Sequence, residues 1–82
     1  MIHKIKLQKE FADAVLSGDK CFEIRNNDRG YQKGDKVKFQ VMDGSTEMGH
    51  ALNTWEFIIT YVMSGWGIEQ GYVVFGIKRI EE

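Results

Sequence analysis

The sequence predicts an α+β domain in which one short N-terminal helix accompanies a small, mostly antiparallel β-barrel of about five strands. Three observations support this fold class. Several segments alternate apolar and polar residues, which is the pattern of a half-buried strand. One early segment repeats its apolar residues with helical spacing instead. The 82 residues, 43% of them hydrophobic, suffice for one hydrophobic core, so residues 1–82 are expected to form a single domain.

The chain is predicted to begin with a strand followed by the helix. Within residues 2–7, Ile5 and Leu7 alternate with Lys4 and Lys6, while Ile2 is out of step, which predicts a strand with one wet face. Residues 8–17 place apolar side chains three and four positions apart, which predicts a short amphipathic helix. Gly18 should end this helix, because glycine readily adopts the left-handed conformation found at helix C-termini.

Four more strands are predicted along the rest of the chain. The segment 55–63 is rich in β-branched and aromatic residues and apolar on both faces, which favours a central strand. Gly76 interrupts the last strand and predicts a bulge or the close approach of another backbone. Residues 42–53 contain few large apolar groups and are expected to form a loop. The four predicted strands are 20–25, 36–41, 55–63 and 72–80.

The alternation also predicts which side chains face the core. In the segment 20–25, Phe22 and Ile24 are expected to point inwards, while Glu23 and Arg25 share the opposite face. The residues expected to be mostly buried are Leu7, Phe11, Val15, Phe22, Ile24, Val37, Phe39, Ile59 and Val74.

Charge and cysteine content limit the class of protein. Residues 1–38 hold nine of the eleven lysines and arginines against six acids, so this half could favour an anionic partner. Cys21 is the only cysteine, so no disulfide can form within the chain. The first residues lack the apolar run of a signal peptide, and no segment has the length of a transmembrane helix. We therefore expect a cytoplasmic protein with no membrane partner.

Common catalytic signatures are missing from the sequence. It contains no phosphate-binding loop, no nucleophile elbow and no cysteine pair. His3 and His50 lie far apart, so neither is expected to bind a metal. We expect neither a metal nor a cofactor.

One segment brings polar groups of both signs together. Period-two spacing puts Glu23 and Arg25 on one strand face, and Lys20 lies at the entrance of that strand, near the helix end. Asn27 and Arg29 follow within a few residues. Such a cluster can hold an anionic or amide-rich ligand, because it offers donors and acceptors together. The alternative is that Glu23 and Arg25 form an exposed pair of small energetic value.

The same segment resembles a known family. Residues 18–25, GDKCFEIR, match the motif G-x-K-x-x-E-x-R of the ASCH domain, whose fold is similar to the PUA RNA-binding barrel. Residues 23–35 resemble the run E-I-R-x-N-D-R-x-[FY]-x-x-G-D of a bacterial and phage subgroup of unknown function. Residues 59–65 and 71–77 resemble the last two strands of that subgroup, so the resemblance spans nearly the whole chain.

The resemblance implies a PUA-like barrel with a polar cleft for RNA or a nucleotide. Lysine and arginine side chains would meet phosphate or base acceptors, glutamate and asparagine would contact base edges, and an aromatic ring would stack on a base. The residues expected to contact such a ligand are Lys20, Glu23, Arg25, Asn27, Arg29, Tyr31 and Trp66.

Two other functions remain open. Some ASCH-like proteins hydrolyse N4-acylated cytidines through K-x-x-T, with lysine as base and threonine as nucleophile. Lys20 matches the lysine, but Glu23 replaces the threonine, and a carboxylate is a poor substitute for an activated hydroxyl. An enzyme would use Lys20 and Glu23, with Thr60 or Thr46 as a possible nucleophile. The third possibility is a small adaptor that contacts a protein partner through an edge strand. The sequence does not indicate an oligomeric state.

Overall fold

Six strands and one α-helix follow one another along residues 1–81, the part of the chain that the computed structural model describes. All predicted elements are confirmed, with boundaries within two residues of those expected. The elements are β1 (Ile2–Gln8), α1 (Lys9–Ser17), β2 (Phe22–Asn26), β3 (Lys36–Asp43), β4 (Thr46–Glu47), a 3-10 helix (Ala51–Thr54), β5 (Glu56–Met63) and β6 (Tyr72–Ile80).

The strands form one curled sheet, a half-barrel with the order β1-β3-β5-β6-β2. The pair β1–β3 is parallel, and the pairs β3–β5, β5–β6 and β6–β2 are antiparallel. The expected α+β class with a mostly antiparallel sheet is therefore confirmed. The sixth strand, β4, is a two-residue segment that pairs with β3 inside the expected loop. Because β1 and β2 terminate the order, each keeps one edge that pairs with no strand in the described part of the chain.

The core lies on the concave side of the half-barrel. Helix α1 contacts β1, β3 and the 3-10 helix and buries Ala12 and Val15. Gly18 ends this helix in the expected left-handed conformation, with a φ of 88°. Within residues 1–81, no helix combines the length and apolar character needed to cross a membrane. The largest fully buried side chains are Phe75, Ile5, Leu52, Ile59, Glu23, Val37 and Val41.

The predicted orientation of β2 is wrong. Phe22 and Ile24 are 41% and 55% exposed, whereas Glu23 between them is only 2% exposed. The alternation itself is confirmed, but the polar face of this strand points into the half-barrel. Of the nine expected core residues, five are buried and four are not: Phe11, Phe22 and Ile24 are exposed, and Val74 is half-buried.

Gly76 lies beside an irregularity, as the sequence predicts. The register of the β5–β6 pair shifts between Ile59 and Tyr61. A Cβ atom at Gly76 would lie 2.7 Å from Oγ1 of Thr60, the residue at this shift. The glycine therefore leaves room for the bulge, and the bulge lies next to the residue pair Phe22–Gly76 of β2 and β6.

Candidate functional site

The Glu23 carboxylate lies between two basic side chains. Arg25 donates hydrogen bonds from Nε and Nη2 to Glu23 Oε1, at 3.0 and 2.7 Å. Lys20 donates from Nζ to the other oxygen, Oε2. The side chains of Lys20 and Arg25 are 20% and 24% exposed, whereas that of Glu23 is 2% exposed, so a buried carboxylate is paired with two cations that each retain contact with solvent. The three residues that spacing alone placed near each other therefore form one hydrogen-bonded cluster.

Lys20 is held in place by the end of the helix. Its backbone N–H donates to Ala14 O at 2.9 Å, directly after the turn at Gly18. Its ammonium group also donates to Phe22 O at 2.8 Å and lies 5.0 Å from the centre of the Phe22 ring and 5.7 Å from that of Phe11. Both distances allow a cation–π interaction. Lys20 thus connects the buried carboxylate to an exposed aromatic surface.

The cluster explains why a carboxylate can be buried on β2. An unpaired buried charge is strongly unfavourable, but charge-assisted hydrogen bonds to two cations compensate for the lost solvation. Two cations against one carboxylate leave the cluster with a formal charge of +1. This surplus favours an anionic group at the outer rim of the cluster.

A cleft of about 540 Å³ opens beside the cluster. Its walls are the end of β1, the start of α1 and the strand β2. The volume lies in the range of roughly 300–1,000 Å³ that is typical of small-molecule sites. Apolar side chains form much of the lining, which consists of Lys6, Leu7, Gln8, Phe11, Lys20, Phe22, Glu23, Ile24 and Arg25.

A second cleft of about 530 Å³ continues along the same two strands. Lys6, Ile24 and Arg25 line both clefts, so the two form one groove between the unpaired edges of β1 and β2. We call this groove the seam. Arg29 crosses it and donates from Nη1 to Lys4 O at 2.9 Å. The second cleft is lined by Lys4, Ile5, Lys6, Ile24, Arg25, Asn26, Asp28, Arg29, Tyr31 and Tyr72.

The other predicted site residues occupy different positions. Asn27 lines neither cleft, and its Oδ1 accepts a 3.0 Å hydrogen bond from the backbone N–H of Tyr31, which shapes the turn after β2. Trp66 also lies outside both clefts. It is 91% exposed, with a φ of 54°, in the loop between β5 and β6.

Tyr31 is a core residue that reaches the seam. Its ring contacts those of His3 and Phe75, with centroid distances of 4.7 and 4.6 Å, and only 5% of the residue is exposed. Burial raises the pKa of Tyr31, and the positive charges of Arg29 and Arg25 partly oppose this effect. The neutral phenol therefore persists at physiological pH and can act as a hydrogen-bond donor or acceptor, whereas its ring faces are covered by neighbours.

The seam concentrates positive charge in a chain whose net charge is −1. Lys4 and Lys6 were not among the predicted site residues, although their alternation on β1 put them on one exposed face. The fold brings that face next to β2, which the sequence pattern did not indicate. Within residues 1–81, five basic and two acidic residues line the seam: Lys4, Lys6, Lys20, Arg25, Arg29, Glu23 and Asp28.

The sequence was compared with known protein families, and the matches are consistent with the resemblance of residues 23–35 to a bacterial and phage group of unknown function. Residues 2–77 match the family described as domain of unknown function DUF3850. The chain belongs to the DUF3850 family. This DUF3850 chain is also similar to the uncharacterized 12.9 kDa protein in the GpA 3′ region of Escherichia phage P2, with 47% identity over 36 residues. The matched segment makes up 44% of this chain and 33% of the phage protein, so the similarity covers about a third of that relative.

Among residues 1–81 of this DUF3850 chain, the side chains with hydroxyl groups that line the seam are those of Tyr31 and Tyr72. Of the described residues, no serine or threonine lines either cleft of the seam. Thr60 lies beside Gly76 on the β5–β6 side of the sheet, and Thr46 lies in β4. Among residues 1–81, no three histidine, cysteine or carboxylate side chains converge as they would around a metal ion.

Proposed function

We propose that the chain is an ASCH-like module that binds single-stranded RNA or a nucleotide in the seam between β1 and β2. The observation that carries the proposal is the buried Glu23 carboxylate, bonded to Lys20 and Arg25, at the centre of a groove with excess positive charge. Phosphate groups dominate nucleic-acid affinity, and lysine and arginine are the side chains that bind them.

The supply of polar groups also supports this ligand class. Arg25 and Lys20 have unused N–H donors beyond their bonds to Glu23, since guanidinium carries five donors and ammonium three. The Tyr31 phenol adds a neutral polar group to the second cleft. Phosphate oxygens and base edges need this mixture of strong cationic donors and neutral groups.

Trp66 is proposed as a stacking residue for a base next to the seam. Its loop is attached to the end of β2, because Asn27 N donates to Gly71 O at 2.9 Å. Base–aromatic stacking tolerates any base, since every base has a π-face. Because Trp66 lines neither cleft, it would act on a nucleotide that leaves the seam at the end of β2.

A salt series of RNA affinity tests the proposal. Fluorescence anisotropy with a labelled single-stranded oligonucleotide should give a slope of log K against log salt of about −0.7 for each phosphate contacted. The double variant Lys4→Ala, Lys6→Ala should bind more weakly and with a shallower slope, because both side chains border the seam. The control Lys33→Ala, Lys78→Ala removes the same charge from exposed positions that line neither cleft and should keep the wild-type slope.

The same experiment separates the other candidate functions. An acidic peptide of matched charge serves as the competitor. Absence of RNA and nucleotide binding at low salt would overturn the proposal. Salt-insensitive binding of the peptide in place of RNA would favour the adaptor function, because apolar and backbone contacts depend much less on ionic strength than phosphate contacts.

A further inference from the structure

We infer that the two halves of the seam have different tasks: the first cleft takes an unstacked base, and the second holds the phosphate attached to it. This inference rests on the proposed function and adds to it a substrate class, a single strand whose base leaves the stack. It also gives roles to the side chain of Phe22 and to the backbone of Ile24 and Lys6, none of which belongs to the Lys20–Glu23–Arg25 cluster.

Backbone groups at the centre of the seam are available to a ligand. Cys21 O accepts from Ile77 N, and Asn27 N donates to Gly71 O. The backbone N–H and C=O groups of the odd-numbered residues of β2 therefore point towards β6 and bond to it. The antiparallel pattern then turns the N–H and C=O of Phe22 and Ile24 towards the seam.

The same argument applies to β1. Lys36 N donates to Met1 O, so the backbone groups of the odd-numbered residues of β1 bond to β3. The backbone N–H and C=O groups of the even-numbered residues therefore point towards the seam. The position of Arg29, whose guanidinium bonds to Lys4 O, agrees with this pattern.

Side chains already donate to the backbone carbonyls of two of these seam-facing residues. Lys20 donates to the carbonyl of Phe22, and Arg29 donates to that of Lys4. Within residues 1–81, no side chain caps Ile24 or Lys6, and these two residues line both clefts. An edge residue offers an N–H donor next to a C=O acceptor, and adjacent donors and acceptors are what the edge of a nucleobase presents.

The first cleft suits the flat face of a base. Phe11 and Phe22 are 48% and 41% exposed there, and Leu7 and Ile24 extend the apolar surface. Sequence-specific RNA recognition uses unstacked bases that pack on aromatic or arginine planes and bond through their edges. Large exposed apolar residues are otherwise unfavourable, so their concentration beside free backbone groups indicates a binding surface.

The second cleft suits a phosphate. Lys4, Lys6 and Arg29 border it, with Arg25 at the junction of the two clefts. Among the residues that the structure describes, Asp28 is the one carboxylate that lines it. A nucleotide placed along the seam would therefore direct its base towards the helix α1 and its phosphate towards the turn after β2.

The test compares three probes: a short single-stranded RNA, the same backbone with abasic residues, and a duplex of the same sequence. The wild-type chain should prefer the intact single strand over both others. Phe22→Ala should weaken binding of the intact strand about tenfold, because stacking on one aromatic ring is lost, and should change binding of the abasic strand less than about twofold. Tyr61→Ala, which removes an aromatic ring that is 65% exposed and outside the seam, is the control and should change neither.

A second pair of variants tests the backbone contact. Ile24→Pro removes the N–H that faces the seam, and an edge position tolerates proline because no ladder bond is lost. It should weaken binding of the intact strand only, whereas Ile24→Val should bind as the wild type does.

The outcomes distinguish this inference from the proposed function. Equal affinity of the wild type for intact and abasic strands, or equal effects of Phe22→Ala on both, would overturn the division of the seam while leaving RNA binding in place. Tighter binding of the duplex would also overturn it. Absence of binding to every probe would overturn the proposed function and this inference together.

Discussion

Arg25 Nη2 donates a 2.7 Å hydrogen bond to Oε1 of Glu23, a carboxylate that is almost fully buried on an edge strand. The bond joins neighbours on one face of β2, two residues apart. It makes the charge of Glu23 part of the fold as well as part of the site, so a change at this position should affect stability and binding together.

Glu23→Gln should destabilise the fold. The amide can still accept from Arg25, but its buried NH₂ group would face the Lys20 ammonium, so two donors would meet where the wild type has a donor and an acceptor. Such a loss of an acceptor costs about 1–3 kcal/mol. Urea denaturation measures this cost. Glu47→Gln, at an exposed position in β4, is the matched control and should lie within about 0.5 kcal/mol of the wild type. A Glu23→Gln variant as stable as this control would contradict the structural role of the cluster.

Phe22→Ala should leave the fold largely intact. Burial of Phe22 on β2 would have made this change cost roughly 3–5 kcal/mol, the usual cost for a core phenylalanine. Because the ring is 41% exposed, the expected cost falls to about 1 kcal/mol. Phe75→Ala, at a position with no exposed surface, should show the full effect. Melting temperatures of the two variants compare them directly, and a larger loss for Phe22→Ala would reverse the assigned orientation of β2.

Acylated cytidines should not be hydrolysed efficiently. Both oxygens of Glu23 are bonded to cations, and among residues 1–81 no serine or threonine lines the seam to form an acyl intermediate. Incubation with N4-acetylcytidine, followed by chromatography, measures turnover. Rapid release of cytidine that Lys20→Ala abolishes would contradict this expectation and indicate another nucleophile.

Acid should destabilise the protein through Asp35. A hydrogen bond with the buried His3 lowers the pKa of Asp35 below its ordinary value of 3.8, and a bond from the backbone of Gln32 adds to this effect. A depressed folded-state pKa stabilises the fold above the unfolded value, and this stabilisation is lost as pH falls through the folded value. Melting temperature should therefore decline below about pH 4.

Asp35→Asn isolates this contribution. The variant should melt at a lower temperature than the wild type at neutral pH and show a shallower acid decline. Asp19→Asn, at an exposed position, removes a carboxylate outside the His3 contact and should retain the wild-type decline. Equal acid profiles for Asp35→Asn and the wild type would show that the His3–Asp35 bond does not contribute.

The sequence was sufficient to predict the helix and the five longer strands, because each has its own local pattern of spacing and turn residues, but β4 and the 3-10 helix lie in the segment 42–53 that was expected to be a loop. It was also sufficient to bring Lys20, Glu23 and Arg25 together, since strand alternation and the helix end determine their relative positions. The orientation of β2 could not be predicted from hydrophobicity, which favours burying Phe22 over Glu23. A lysine three residues before Glu23 and an arginine two residues after it were the available signal that this carboxylate has enough partners to be buried.

The seam itself could not be predicted from local patterns. It depends on β1 pairing in parallel with β3, which leaves β1 and β2 as the two ends of the sheet. Lys6 and Ile24 lie in different elements, and only the strand order makes them neighbours in one groove. Tyr31 illustrates the same limit, because a turn residue became a core residue through contacts with β1 and β6.

The pairing of β2 with β6 has a consequence for folding kinetics. Phe22 pairs with Gly76 and Asn26 with Tyr72, so the strand that carries Glu23 acquires its sheet partner only from the last strand. Contacts between such distant parts of a chain form slowly, because a long loop must close first. We therefore expect the Glu23 carboxylate to stay hydrated during synthesis until β6 has emerged. Charge burial and completion of the groove are then late events of the same folding transition.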